Sequence, residues 1–350
     1  MSHYVLPDPS LLEKGGAGPH LLSTVSSLYA PRDLSLSGKL SPVRLGDVLP
    51  FVDGGPLDVA VGFDFDGKPV HIDLAELGSL LASGTTAAGK TTMLRSIIAS
   101  ILMRATPDEV RLILVDPKKV ELEDYDGIPH LLAPRITDAR WAVSVLRWCV
   151  AEMDRRLKVF ADAGVRDLRG YNDLVDRGSL GERDSPLERL PSIVIVVDEL
   201  TDLIMSAQED VETSIVRIAQ LGRTAGVHLV LSSQSARPDI VTEPILAGFS
   251  CHVALKRHNS VESKRLIGRS GAELLRMLGD MLLLLPGPDE EPRHVQGCYQ
   301  SQGEIQAVVE HWRGQPAPSC DAGMTSLGEP DASGEEEPSR TSMTDDPLVW

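Results

Sequence analysis

Short apolar runs alternate with longer amphipathic segments along the central part of the chain. The runs are rich in Val, Ile and Leu and mostly lack polar alternation, which is typical of strands buried on both faces. They are Leu80–Ser83, Val110–Asp116, Ser192–Asp198, Val227–Ser233, Cys251–Leu255 and Met281–Leu285. Helical periodicity is found at Thr91–Arg104, Asp138–Ala163 and Val211–Ala225. This alternation predicts an α/β fold with a largely parallel sheet that is flanked by helices.

Both ends of the chain differ from this central part. Residues 1–44 contain Gly and Pro at short intervals and predict a loosely ordered N-terminal segment. Residues 314–350 hold eight acidic residues, one basic residue and five prolines, with little apolar periodicity. Such a segment cannot bury enough surface to offset its ordering entropy, so we expect a disordered acidic tail. The sequence thus predicts one folded domain at residues 45–313.

Composition limits the class of protein. The chain has 350 residues, of which 42% are hydrophobic and 24% charged, as is usual for a globular protein. No apolar stretch approaches the roughly 18 residues of a membrane span, and the N-terminus lacks a signal-peptide pattern. The four cysteines are far apart and form no CxxC pair, so metal or redox spacing is absent. These features predict a cytoplasmic protein and exclude secreted, membrane-spanning and disulfide-stabilised classes.

One segment carries the strongest chemical signal. Residues 84–91 read GTTAAGKT, a full match to the phosphate-binding pattern GxxxxGK[ST], between a predicted strand and a predicted helix. Backbone N–H groups of such a loop converge on phosphate oxygens, and the helix N-terminus adds positive potential. We expect Lys90 to reach the β- and γ-phosphates of ATP and the Thr91 hydroxyl to ligate Mg²⁺. The expected nucleotide-binding residues are Gly84, Thr85, Thr86, Ala87, Ala88, Gly89, Lys90, Thr91 and Thr92.

An acidic pair lies where the Ser192–Asp198 strand ends. Asp198 and Glu199 are predicted to lie at the carboxyl edge of the sheet, where the phosphates would bind. Asp198 would hold Mg²⁺ there, and Glu199 would orient and polarise the attacking water. The alternative is a strand that simply ends in a solvated acidic turn. The neighbouring phosphate-binding loop favours the site, and an acid after the metal-holding Asp favours ATP hydrolysis over binding alone.

The Val227–Ser233 strand ends at a polar amide, Gln234. At the same edge of the sheet this amide would contact the γ-phosphate or the attacking water. The alternative is an ordinary hydrogen bond from Gln234 to backbone at the strand end. His228 lies inside this strand and is interpreted as a buried core histidine.

Seven further segments follow one another along the chain. They are VDPKKVEL (Val115–Leu122), IPHLLAPRITD (Ile128–Asp138), EMDRRL (Glu152–Leu157), GVRDLRGYN (Gly164–Asn172), VVDELTDLIM (Val196–Met205), GRTAGVHLVLSSQ (Gly222–Gln234) and GAELLRMLGDML (Gly271–Leu282). Together and in this order they resemble the motor domain of the FtsK/SpoIIIE family of DNA translocases, over roughly residues 45–286. The short chain resembles the actinobacterial plasmid-transfer members of that family.

This resemblance implies a RecA-like P-loop NTPase core that assembles into a hexameric ring around double-stranded DNA, with ATP between subunits. It also implies that Arg223 contacts the γ-phosphate bound by a neighbouring subunit. The alternative for Arg223 is a surface arginine at a helix end, stabilised by the helix dipole. Ala87-Ala88 departs from the family pattern in a way that the phosphate-binding motif tolerates. The Ser232–Pro238 segment also departs from it, and this leaves the detailed role of Gln234 open.

The net charge is −17, so contact with DNA would need a locally basic surface. The sequence offers one basic group between residues 250 and 276, whose alternative role is in salt bridges between subunits. Its members are Lys256, Arg257, His258, Lys264, Arg265, Arg269 and Arg276. The expected function is ATP-driven translocation of double-stranded DNA in conjugative plasmid or integrative-element transfer, with a membrane-pore protein as a partner. The alternatives are a type VII secretion motor, a chromosome-partition translocase and a nucleotide-gated assembly protein.

Overall fold

The computed structural model describes residues 4–15, 43–178, 188–287 and 291–316. The predicted acidic tail therefore lies outside the described residues, apart from its first three positions. Among the described residues, no helix has both the length and the apolar character needed to cross a bilayer.

Nine strands and nine α-helices make up the described part of the chain. The strands are β1 (Asp58–Asp64), β2 (Pro69–Asp73), β3 (Ser79–Ser83), β4 (Val110–Val115), β5 (Ser192–Val197), β6 (Val227–Ser233), β7 (Cys251–Leu255), β8 (Asp280–Leu284) and β9 (Arg293–Gly297). The helices are α1 (Leu45–Val48), α2 (Leu74–Leu77), α3 (Lys90–Arg104), α4 (Ala139–Ala163), α5 (Leu168–Asp176), α6 (Leu200–Ala225), α7 (Glu243–Gly248), α8 (Ser260–Ile267) and α9 (Gln302–Arg313).

The strands of the described residues form one sheet in the order β2-β1-β9-β8-β7-β3-β6-β5-β4. Strands β7, β3, β6, β5 and β4 are mutually parallel, which confirms the predicted α/β fold with a parallel sheet. The pairs from β7 to β2 are antiparallel and extend the sheet on one side. The sequence did not predict β1, β2 and β9. Strand β9 buries only Val295 and Gly297, so its apolar signal is weak.

Helices cover both faces of the sheet, and each face has its own apolar core. Helices α3 and α9 pack on one face, where the Trp312 indole is fully buried and donates to Leu102 O at 2.9 Å. Helices α4 and α6 pack on the other face. Helix α6 begins at Leu200, earlier than the predicted Val211, and Ala207 has non-helical backbone angles inside it. Residues 205–210 contribute no buried position and are almost all exposed, so the sequence pattern revealed the second half alone.

Residues 4–15 were predicted to be loosely ordered, but they pack against the folded domain. Val5 N donates to Gln315 Oε1 at 2.9 Å, and Glu13 N donates to Glu304 Oε1 at 2.8 Å. Leu12 is buried in the core beneath α1 and α9. These contacts tie the beginning of the chain to α9 and to the residues after it. The local Gly and Pro content does not reveal this packing, because the packing comes from long-range contacts with α9.

Candidate nucleotide site

The phosphate-binding loop connects the end of β3 to the start of α3 and lies on the carboxyl edge of the parallel strands. It is anchored on both sides, since Gly84 N donates to Ser233 O at 3.2 Å and Thr85 N donates to Lys256 O at 2.9 Å. Gly89 has φ of 112°, and a Cβ added there would lie 2.5 Å from Gly279 N. Only glycine fits this close backbone approach. The loop therefore has the rigid, glycine-dependent form that phosphate binding requires.

Lys90 is the first residue of α3 and its side chain is buried inside the loop. Its Nζ donates to Gly84 O at 2.7 Å and to Thr85 O at 3.0 Å. Burial lowers the pKa of the Lys90 ammonium to about 8. The charges of Glu199 and Asp198 oppose this effect in part, while the hydrogen bonds of Lys90 go to neutral carbonyl oxygens. Phosphate oxygens would add a direct anionic partner, so Lys90 fits its predicted role.

The predicted metal ligands Thr91 and Asp198 lie side by side. Thr91 Oγ1 is 3.4 Å from Asp198 Oδ1. Asp198 is buried, and burial raises the pKa of its carboxyl to about 6, with Glu121 and Asp116 adding like charge. A hydroxyl and a buried carboxylate are oxygen ligands suited to Mg²⁺, whose charge would relieve this crowding of acids. The donor set therefore fits a Mg²⁺–ATP complex.

Glu199 is the N-cap of α6 and is fixed by several donors. Its Oε1 accepts from Thr201 Oγ1 at 2.8 Å and from Gln234 N at 3.1 Å. Its Oε2 lies 3.4 Å from Lys118 Nζ. The carboxylate is buried, so it is held ready to accept a proton or to orient water. Lys118 was not singled out from the sequence, although it follows β4 and thus lies at the same sheet edge.

Gln234 lies between the phosphate loop and Glu199. Its side-chain Oε1 accepts from Thr86 Oγ1 at 3.2 Å, and its N–H donates to Glu199. The amide side chain is thus directed to the phosphate loop, in contrast to the alternative of a bond to backbone. Gln234 and Lys118 separate two adjoining cavities. One, of about 320 Å³, is lined by the phosphate loop and Asp198, and the other, of about 410 Å³, is lined by Glu199.

Arg257 was predicted to contact DNA, and this prediction is wrong because the side chain is only 2% exposed. Its guanidinium donates to Ser83 Oγ and to Gln234 O, both at 3.0 Å. It also pairs with Glu262 on α8, at 2.6 Å. Arg257 therefore joins the end of β3, the residue after β6 and α8. No local pattern indicates this burial, since a basic run normally lies on the surface.

The rest of the basic group is also largely engaged within the subunit. Lys256 Nζ donates to Glu273 O at 2.7 Å, and Arg276 pairs with Asp280 at 3.3 Å. Arg265 pairs with Glu243 at 2.7 Å, and Arg269 pairs with Glu291. His258 and Lys264 are exposed. These contacts favour the alternative structural role for most of the group.

Arg223 lies far from the phosphate loop of its own subunit. It is in the last turn of α6 and packs against Gly78, where an added Cβ would lie 3.1 Å from Arg223 Cβ. Gly78 precedes β3 and Gly84 follows it, so the two positions are separated by roughly 20 Å at about 3.3 Å per residue. The side chain is 59% exposed and pairs with Glu76. The structure thus places Arg223 apart from the cluster formed by Lys90, Thr91, Asp198, Glu199 and Gln234.

The fold and the phosphate loop are those of the P-loop NTPase class, and comparison with known proteins identifies the family. The FtsK/SpoIIIE family model matches residues 51–238. The DNA translocase FtsK 1 of Neisseria meningitidis is 41% identical over 271 residues, which cover 74% of this chain and 33% of that protein. The chain belongs to the FtsK/SpoIIIE family and spans about a third of the length of this curated relative.

Two solved structures share the fold. The cytoplasmic domain of the Thermomonospora curvata type VII secretion ATPase EccC matches with a TM-score of 0.66 and 24% identity, over 83% of this chain and 36% of that one. The pCW3 conjugation coupling protein TcpA, with ATPγS, matches with a TM-score of 0.65 and 21% identity. That match covers 78% of this chain and 75% of TcpA. Because the identities are low, these likenesses establish the architecture and leave the substrate open.

Proposed function

We propose that this chain hydrolyses ATP to translocate double-stranded DNA. The observation that carries the proposal is the assembly of Lys90, Thr91, Asp198 and Glu199 at one sheet edge, in a member of the FtsK/SpoIIIE family. The relative from N. meningitidis is named a DNA translocase, which supports DNA as the substrate.

The residues of this chain divide the chemistry between them. Lys90 and the loop N–H groups would bind and orient the β- and γ-phosphates. Glu199, held by Thr201 and Gln234, would orient the attacking water and accept its proton. Thr91 and Asp198 would hold Mg²⁺, whose charge would neutralise that of the phosphates. Gln234 contacts both the loop and Glu199, so it would couple the presence of the γ-phosphate to the position of the general base, Glu199.

We further propose that the working form is a homo-oligomeric ring, expected to be a hexamer. Arg223 lies at the sheet edge opposite its own phosphate loop, so it can stabilise transition-state charge only at a neighbour's nucleotide. A closed ring supplies each site with one such arginine. It also multiplies weak contacts to the DNA backbone, which explains how an acidic chain could bind a polyanion.

The activity is tested by the ATPase rate of the purified full chain with and without linear double-stranded DNA at low salt. We expect several-fold stimulation by duplex DNA and little by an equal mass of single-stranded DNA. Lys90→Ala is the control for contaminating ATPases. Equal rates with and without duplex DNA, in preparations that form oligomers, would contradict translocation and favour a protein-moving motor such as EccC.

The process that we propose is transfer of a conjugative plasmid or integrative element. The architecture shared with the conjugation coupling protein TcpA supports it. DNA export would require a partner protein that forms a membrane pore, to which this chain would be recruited from the cytoplasm. A donor strain that lacks the gene should transfer the element at a much lower frequency. Normal transfer together with a defect in chromosome segregation would instead support a partition role.

A further inference from the structure

The loop between α8 and β8 exposes large apolar side chains next to the phosphate loop. Leu278 is 82% exposed and Leu274 is 75% exposed, whereas most leucines of the described residues are buried. Leu278 also has φ of 66°, in the left-handed region that non-glycine residues seldom adopt. Such a conformation is strained and persists where the surrounding structure imposes it, often at ligand sites. Leu278 therefore combines two unfavourable features at one position.

The backbone around Leu278 is fixed to the phosphate loop. Gly279 N donates to Ala88 O at 2.8 Å, and Gly279 O accepts from Gly297 N at 2.9 Å. Leu278 O accepts from Gln296 Nε2 at 3.0 Å. These bonds hold Leu278 at a set distance from the residues that would bind phosphate.

Leu278 lines the same cavity of about 320 Å³ as Lys90, Thr92 and Asp198. The order β8-β7-β3-β6-β5 puts the two ends of this cavity on opposite flanks of β3. Asp198 follows β5 on one flank, and Leu278 precedes β8 on the other. The γ-phosphate belongs beside Asp198 and Glu199, so the remainder of the nucleotide must extend toward the flank that carries Leu278.

We propose that Leu278 packs against the face of the adenine base of ATP. This inference rests on the proposed nucleotide site and names the residue that contacts the base. A purine has a flat, largely apolar face, and an exposed aliphatic side chain covers such a face at low desolvation cost. The contact offers no hydrogen bond to the base edge. It therefore favours purines over smaller pyrimidines and does not distinguish adenine from guanine.

The inference is tested by calorimetric titration of the full chain with ATP and with inorganic tripolyphosphate, both in Mg²⁺. Leu278→Ala should raise the Kd for ATP roughly tenfold, as expected for losing part of an apolar contact, and leave the Kd for tripolyphosphate unchanged. Leu278→Met should bind ATP like the wild type, because methionine also has an apolar side chain long enough to make the contact. Leu274→Ala is the matched control, since Leu274 is equally exposed on the same loop but does not line the cavity.

Two results would overturn the proposal. In one, Leu278→Ala binds ATP as tightly as the wild type, and Leu278 then faces another partner. In the other, the variant loses affinity for tripolyphosphate by the same factor, and the effect then lies in the phosphate loop. Failure of the wild type to bind ATP would instead contradict the proposed function. The thermal midpoint of each variant checks folding, and we expect little change because both side chains are exposed.

Discussion

Arg223 pairs with Glu76, at 3.1 Å, on the sheet edge opposite the phosphate loop. Exposed ion pairs of this kind contribute about 0–1 kcal/mol, so stability alone gives little reason for the arrangement. The proposed role of Arg223 is at the nucleotide of a neighbouring subunit. We therefore expect Arg223→Ala to bind ATP normally and to lose at least about 100-fold in turnover, as for other charge-stabilising groups.

Mixing variants tests whether Arg223 acts across an interface. A ring that combines Arg223→Ala subunits with Glu199→Gln subunits contains some sites with both an intact Glu199 and an intact neighbouring Arg223. Such rings should regain part of the wild-type ATPase rate. Arg217→Ala is the matched control, because Arg217 is also exposed on α6 and pairs with Asp154. No gain in mixed rings, once mixing is confirmed, would show that Arg223 has another role.

Substitutions at Glu199 and Lys90 should separate the hydrolysis of ATP from its binding. Glu199→Gln keeps the size and the hydrogen bonds of the N-cap but cannot accept a proton, so kcat should fall by about 100-fold or more. Its Kd for ATP should stay near that of the wild type, whereas Lys90→Ala should lose ATP binding. Glu209→Gln, an exposed position on the same helix, controls for loss of charge. Wild-type turnover in Glu199→Gln would mean that another group positions the water.

Substitution of Arg257 should lower turnover more than it lowers nucleotide affinity. Arg257→Met leaves Gln234 O without its donor and Glu262 without its partner, and breaking a buried pair of this kind costs about 3 kcal/mol of unfolding free energy. Since the Gln234 peptide also holds Glu199, we expect kcat to fall about tenfold or more at nearly constant Kd for ATP. Urea unfolding and steady-state kinetics measure the two effects. Arg269→Met serves as the exposed control. If Arg257→Met has the same kcat as the wild type, Arg257 has no role in supporting the site.

The buried side chain of His228 should make the free energy of unfolding depend on pH. Burial lowers the pKa of His228 to about 4, whereas an unfolded histidine has a pKa near 6.5. The unfolded state therefore binds more protons between these values, and the free energy of unfolding falls as the pH decreases from about 6.5 toward 4. Near pH 5 this single residue should account for a loss of about 2 kcal/mol.

The variant His228→Leu isolates that contribution. Between about pH 7.5 and pH 5 its free energy of unfolding should change by about 2 kcal/mol less than that of the wild type, by urea titration. The comparison uses the difference between two pH values, so a general loss of stability in the variant does not affect it. An identical pH dependence in both proteins would show that the pKa of His228 is the same in the folded and unfolded states.

The parallel half of the sheet and most of the nucleotide site could be predicted from the sequence. Runs such as Ser192–Val197 are apolar at nearly every position, so burial on both faces is visible locally. Asp198 and Gln234 follow such runs, and parallel strands bring their carboxyl ends together. The structure adds that both residues lie beside the phosphate loop.

The features that the sequence could not predict depend on long-range contacts. Strand β9 is mostly polar and is a strand because β1 and β8 pair with it on either side. Arg257 lies in a basic run but is buried because Ser83, Gln234 and Glu262 surround it. Leu278 adopts a positive φ because neighbouring backbone holds Gly279 against Ala88. No local propensity encodes these arrangements.

Movement of the protein along duplex DNA can be measured by the displacement of a third strand. A labelled oligonucleotide forms a triplex on a linear duplex, and the full chain is added with Mg²⁺ and ATP. We expect release of the third strand with ATP but not with ADP, and no release by Glu199→Gln, which should still bind ATP. ATP hydrolysis that is stimulated by duplex DNA without any release of the third strand would contradict translocation.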